Sequence, residues 1–174
     1  MEEQRAPTIA AIATKYGAIQ GVISFVLFVV QALVRIKQSW VLPVVGIIVV
    51  VVLMVLAHRE FKRTHNRMMT YAQGLGSGTL LATVGTVVSS VLVFVYVKFI
   101  NTGYFAAAMQ LQKANLQQRG ISGAQAEQAT AMMGIVMNPV GLFVYSLISG
   151  VIVGFIIALI VSIFTQKGDP RIVR

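Results

Sequence analysis

The run VGLFVYSLISGVIVGFIIALIVSIF, residues 140–164, decides the fold. It holds no charged residue, and about 20 apolar residues already suffice to cross roughly 30 Å of hydrocarbon. Within it Ser146, Gly150, Gly154, Ala158 and Ser162 recur at every fourth position, with Gly150 and Gly154 forming a GxxxG pair. Small residues at that spacing let two helix backbones approach closely inside a membrane. The run therefore predicts a transmembrane helix with a packing seam along one face, and the expected neighbour lies in the same chain.

Three more segments satisfy the same length rule: residues 16–34, 40–57 and 78–97. Each is expected to be helical, because an open strand in lipid leaves backbone groups unpaired. That includes Val49-Val50-Val51-Val52, which would favour a strand in water. The first span does not read as a cleaved signal peptide, since its flank opens with Glu2 and Glu3 rather than a basic stretch. The expected fold class is all-α. It is a single integral membrane domain, residues 1–174, of four transmembrane helices with an extramembrane helical hairpin, about 103–138, between the third and fourth.

Composition agrees. Of 174 residues 57% are hydrophobic and 11% charged, against about 25% charged in soluble domains. Mean hydropathy is +0.82. A chain of this size in water could not bury so much apolar sequence. The net charge of +9 then reads as helix-flanking positive charge rather than a nucleic-acid surface. With no cysteine, disulfides, thiolate metal sites and cysteine nucleophiles are excluded.

Four spans put both termini on one side. That side collects Arg5, Lys15, Arg59, Lys62, Arg63, Arg67, Lys167, Arg171 and Arg174, and the other only Arg35, Lys37, Lys98, Lys113 and Arg119. The positive-inside rule places both termini in the cytoplasm. Arg59, Lys62, Arg63 and Arg67 recur at helical spacing in the loop 58–77, where a helix lying on anionic lipid would gain about 1 kcal/mol per basic residue. The simpler reading is that they set topology.

The hairpin is expected as two helices. Tyr104–Arg119 carries Phe105, Met109 and Leu116 on one side, and Gly120 is placed to end it in a left-handed cap. Ser122-Gly123-Ala124-Gln125 has the pattern of a capping box. Ala126, Ala129, Met133, Val136 and Met137 stripe the second helix before Pro139. Charge is sparse, so the stripe with Phe105, Met109, Leu116, Met133 and Met137 is a candidate docking face. Packing on the chain's own bundle is the ordinary alternative.

Inside the membrane the polar groups are Gln20, Ser24 and Gln31 on the first span and Thr79, Thr83, Thr86 and Ser90 on the third. A bare amide in hydrocarbon costs several kcal/mol, so Gln20 and Gln31 are expected to face the third or fourth span. Interhelical bonding is the ordinary role of such residues; a polar path is the other. The second span, with only Pro43 and Gly46 as special residues, is expected to face lipid most.

No catalytic constellation emerges. The acids Glu2, Glu3, Glu60, Glu127 and Asp169 form no spaced pair in mid-chain. His58 and His65 flank Glu60, but four positive charges surround them and the ligand set is incomplete. Gly74, Gly76 and Gly78 lack the Lys-Ser/Thr of a phosphate loop and are expected to bend the chain into the third span. No catalytic residue, metal or cofactor is assigned.

The order of features carries a resemblance. Thr70-Tyr71-Ala72-Gln73-Gly74 precedes a Gly/Ser/Thr-rich span ending in Tyr96-Val97-Lys98-Phe99-Ile100-Asn101. Then come Arg119-Gly120-Ile121-Ser122, Met132-Met133, Asn138-Pro139 and a glycine-rich last span. This resembles the bacterial membrane domain-of-unknown-function family 4199 from about the first span to Lys167. The resemblance implies a four-span inner-membrane protein of Gram-negative bacteria and brings no activity, cofactor or catalytic residue. The hairpin departs from the family pattern in carrying less charge after the Gly-Ile-Ser turn. The expected function is a non-enzymatic scaffold or accessory subunit of a larger inner-membrane assembly. Its partners would be the bilayer and other membrane subunits, and not nucleic acid. The alternative is a small oligomeric channel or carrier using the polar faces of the first and third spans.

Overall fold

The computed structural model describes residues 8–34, 41–64, 68–121 and 123–166, without the side chains of Val34, Thr64, Met133, Ile135 and Val136. The described residues form α1 (Ile9–Val34), α2 (Val41–Thr64), α3 (Tyr71–Val95), α4 (Tyr104–Gln118), α5 (Ala124–Val136) and α6 (Pro139–Thr165). A π-helical turn, Tyr96–Ile100, extends α3. Four of these helices are long and apolar enough to cross a membrane: α1, α2, α3 with its π turn, and α6. The Val49–Val52 run is helical within α2.

The helices overrun the apolar runs that announce them. α1 starts at Ile9 rather than residue 16, α2 continues to Thr64 rather than 57, and α3 starts at Tyr71 rather than 78. Hydropathy marks where the chain turns polar, whereas a helix ends where its backbone is capped. At α3 the cap is Thr70: its hydroxyl accepts from Gln73 N–H, and the Gln73 side chain accepts in return from Thr70 N–H. Gly74, Gly76 and Gly78 therefore lie inside α3 and do not bend the chain. Arg59, Lys62 and Arg63 sit on the last turns of α2, not on a separate surface helix. Arg67 and His65 lie outside the described residues.

α3 is the central helix. It runs parallel to α1, with Gly17 set against the Leu81 carbonyl and Val84, and Gly21 against the Gly85 carbonyl and Val88. It runs antiparallel to α6. α2 packs chiefly on α1 and closes the bundle at one end, where Met54, Ala57 and Phe61 join Ile12, Met69, Leu81, Ala158 and Val161 in the core. Toward its other end α2 exposes Val41, Val44, Ile47, Ile48 and Val52, although as a whole it is no less buried than α1. Large apolar side chains line the outside of every span, up to Phe164 at 82% exposure. In water such a surface would aggregate; against acyl chains it is the face in contact with solvent.

The hairpin forms as expected. At the end of α4, Gly120 adopts φ +75°. The Ile121 N–H donates to the Leu116 carbonyl and the Gly120 N–H to the Gln117 carbonyl, both at 3.0 Å, a left-handed cap that satisfies two orphan carbonyls. Ser122 lies outside the described residues. α6 opens on Asn138, whose side chain accepts from Gly141 N–H at 2.8 Å, with Pro139 in the first turn.

Candidate functional site

The α6 seam lies on α3 along its whole length, in steps of four. Ser146 and Ser90 hydroxyls are 2.8 Å apart. Gly150 faces Thr86, Gly154 faces Ala82, Ala158 faces Gly78 and Ser162 faces Gly74. A methyl at Gly150 would lie 2.6 Å from the Thr86 methyl, and one at Gly78 would lie 2.9 Å from Ala158 Cβ. Both are closer than ordinary Cβ contacts, so α3 and α6 approach this closely because these positions carry no side chain. In lipid there is no hydrophobic drive between helices, and close dispersion contact supplies the association instead.

The polar groups of α1 and α3 divide. Gln20 is buried to 6% exposure and faces α3 as expected. Its Nε2 donates to Ser24 Oγ at 3.2 Å, while its Oε1 has no hydrogen-bond partner. Thr83 donates to the Thr79 carbonyl on its own helix at 2.8 Å, and the Thr79 hydroxyl is buried without a partner. Gln31 departs from expectation: it is exposed. Near the end of α1 the contact with α3 passes to Phe25 and Phe28, whose rings meet Tyr96 edge-on at 6.1 and 6.2 Å. That leaves the Gln31 amide outside the bundle.

Where α2 stands away from the other three spans, a cleft of about 210 Å³ opens. Gln20, Ser24 and Thr86 are its hydroxyl and amide groups, and Pro43, Gly46 and Gly150 are among its remaining walls.

At the opposite end of α2 lies a polar cluster not anticipated from the sequence. His58 has 0% exposure. Its Nε2 is 3.1 Å from the Gly74 carbonyl, which can only accept, and its Nδ1 is 2.7 Å from the Thr165 hydroxyl. One imidazole thus ties α2 to both α3 and α6. Lys62 Nζ donates to the Thr165 carbonyl at 3.0 Å, placing a cation at the C-terminus of α6 where the helix dipole favours it. Glu60 ties α2 to α1, receiving Lys15 Nζ at 3.0 and 3.1 Å and the Tyr16 hydroxyl at 2.7 Å. The available signal was periodic: Met54 and Ala57 carry the α2 stripe to the end of its apolar run and Phe61 continues it beyond, with His58 on the same face. Among the described residues no three His, Cys, Asp or Glu side chains gather as metal ligands. Arg59 and Arg63 are exposed.

In the hairpin, no residue of α4 is buried. Phe105, Met109, Leu116 and Met137 are half-buried, while Leu111 and Met132 are exposed. The Met133 side chain lies outside the described residues. Tyr104 joins the hairpin to the bundle, its ring 5.4 Å from both Phe28 and Phe105. Burial pushes its phenol above the ordinary tyrosine range.

Fold and seam together define a multi-pass membrane protein whose central helix is clasped by small-residue contacts on two sides. The chain belongs to the family described as "Protein of unknown function (DUF4199)", whose family model matches residues 15–167. No curated protein and no solved structure gives a match.

Proposed function

We propose that this protein is a non-enzymatic scaffold or accessory subunit of a larger assembly in a bacterial inner membrane, and that the α4–α5 hairpin is its dock. The observation that carries this reading is the hairpin surface. It is poor in charge, buries no residue of α4, and presents Leu111 and Met132 to the outside. Exposed large apolar side chains grouped on one structural unit favour a protein interface, and methionine adapts its shape to a partner. The test is gentle extraction from native membranes, followed by intact-mass analysis. A stoichiometric complex is expected, and Leu111→Asp with Met132→Asp should release the partner. A lone monomer, or a complex that survives the double change, counts against the reading.

The same reading places both termini in the cytoplasm and the hairpin on the other side, on the strength of nine basic residues against five. Because the chain has no cysteine, single cysteines at Gln118 and Gln166 would report their sides by impermeant labelling. Exposed Arg59 and Arg63 would lie at the cytoplasmic lipid surface. The channel or carrier alternative draws less support, since Ser90 bonds Ser146 and Thr83 bonds its own helix. Solute flux lost on Gln20→Leu would favour it.

A further inference from the structure

We propose that the cleft between α2 and the other three spans is a binding site for a neutral, membrane-dissolved ligand with a ring-sized head carrying a hydroxyl. This site is independent of the docking role proposed for the hairpin.

Size comes first. The cleft measures about 210 Å³, and an apolar cavity of roughly 150 Å³ already accepts a benzene-sized ring. It is roomy because its walls are small. Gly150 and Ala82 form the seam side, and Gly46 on α2 has open space where a side chain would stand. Access is lateral: Pro43, Ile47 and Val153 line the cleft and are also exposed on the lipid-facing surface. A ligand would enter from the bilayer and leave its tail there.

The chemistry is selective. The lining has no charged side chain and three neutral polar ones, Gln20, Ser24 and Thr86. A carboxylate or phosphate head would find no cation. The Gln20 amide is incompletely bonded, using one N–H on Ser24 while Oε1 has no partner. A half-turn about its terminal bond exchanges the Nε2–Ser24 bond for an acceptor facing the Ser24 hydroxyl, which lines the cleft. A ligand hydroxyl can then donate to the amide and accept from Ser24 or Thr86. An orphaned amide oxygen in hydrocarbon is costly, and such a donor removes that cost.

The test uses the full chain in nanodiscs and a phenol bearing a photoactivated diazirine on its ring, with the methyl ether of the same compound as comparator. Saturable labelling within residues 43–50 and 150–157 is expected for the phenol. The methyl ether should compete about five- to tenfold less well, the order of one hydrogen bond. Gly46→Leu, whose Cβ has open space and whose side chain would occupy the cleft, should abolish the labelling. Gly76→Leu, at an equally open position outside the cleft, should not. Thr86→Val with Ser24→Ala should bring phenol and ether level. Non-saturable labelling spread along the lipid-facing surface, equal competition by phenol and ether in the unaltered protein, or labelling that persists in Gly46→Leu would overturn the proposal and leave a lipid- or water-filled gap.

Discussion

Gln20 and Gly85 occupy a shared space: the amide of Gln20 lies where a side chain at position 85 would begin. Glycine there is what lets a glutamine sit between two membrane helices. Gly85→Ala should therefore destabilise the bundle by about 1–3 kcal/mol, the usual cost of overpacking. Adding Gln20→Ala should restore part of that loss. Recovery should be incomplete, because the Gly17 carbonyl would still lie 2.9 Å from the new methyl. Thermal unfolding of the four variants in mild detergent measures the coupling. Simple additivity would show that the two residues do not meet.

Gly154 on α6 and Gly76 on α3 make a pair of opposite expectation. Gly154 lies against Ala82, closer than a methyl allows, whereas Gly76 has nothing within 4 Å. Gly154→Val should cost about 1–3 kcal/mol by forcing α6 away from α3. Gly76→Ala should be neutral or stabilise by about 0.5–1 kcal/mol, the ordinary gain from removing a glycine inside a helix. Reversible unfolding in mixed micelles checks both. Equal effects would show that glycine content, not the seam, governs stability.

These contacts show which parts of the fold could be read in advance. The small-residue rhythm of α6 is visible because a four-residue period in a charge-free run has few other causes. Its partner face was only half visible. The hydroxyls Thr79, Thr83, Thr86 and Ser90 mark one polar stripe, but the face that meets α6 is Gly74, Gly78, Ala82, Thr86 and Ser90. One of its members, Gly74, lies before the apolar run and reads as loop. The helices run past the apolar segments for the same reason: hydropathy falls where the bundle is still packed. The cluster at His58 escaped because a histidine amid arginines and lysines looks solvated until three helices close over it. Gln31 was expected inside because it shares a helical stripe with Gln20. Nothing in the local sequence reports that Phe25 and Phe28 take over the contact with α3.

The imidazole of His58 joins three helices, and its removal should be felt by all of them. His58→Leu leaves the Thr165 hydroxyl without its cross-helix partner. A loss of about 1–3 kcal/mol is expected. Thr165→Val should cost less, about 0.5–1.5 kcal/mol, because the Gly74 bond survives. Since the two share a hydrogen bond, the double variant should fall short of the sum. Unfolding midpoints of the four proteins give the coupling directly. A full sum would place the two residues out of contact.

The basic residues at the end of α2 divide into two kinds, with separable readouts. Lys62 is bonded to the Thr165 carbonyl, whereas Arg59 and Arg63 are exposed. Arg59→Gln with Arg63→Gln should weaken retention of anionic lipid, at about 1 kcal/mol per residue, and leave the unfolding midpoint nearly unchanged. Lys62→Gln should do the reverse, lowering stability by about 0.3–1 kcal/mol through loss of charge at the α6 terminus. Native mass spectrometry of bound anionic lipid and a thermal melt separate the two. Lipid loss in Lys62→Gln equal to that of the arginine pair would refute the division.

The hairpin should unfold apart from the bundle. No residue of α4 is buried, and the tilted and edge-on ring contacts of Phe28, Tyr104 and Phe105 join its first turn to α1. Its turn depends on Gly120 at φ +75°, a left-handed backbone that costs a residue with a side chain about 1–2 kcal/mol. Gly120→Ala should charge that cost to the hairpin alone. Amide exchange across residues 104–136 should quicken by about tenfold or more, since each 1.4 kcal/mol is a factor of ten in the opening equilibrium. Exchange in α1, α3 and α6 should be unaltered, and so should the melting of the bundle. Slowed exchange in the helices of the seam, or a lower bundle midpoint, would mean that the hairpin and the four spans fold as one cooperative unit. The hairpin would then be a structural clasp on its own bundle rather than a surface held out for a partner.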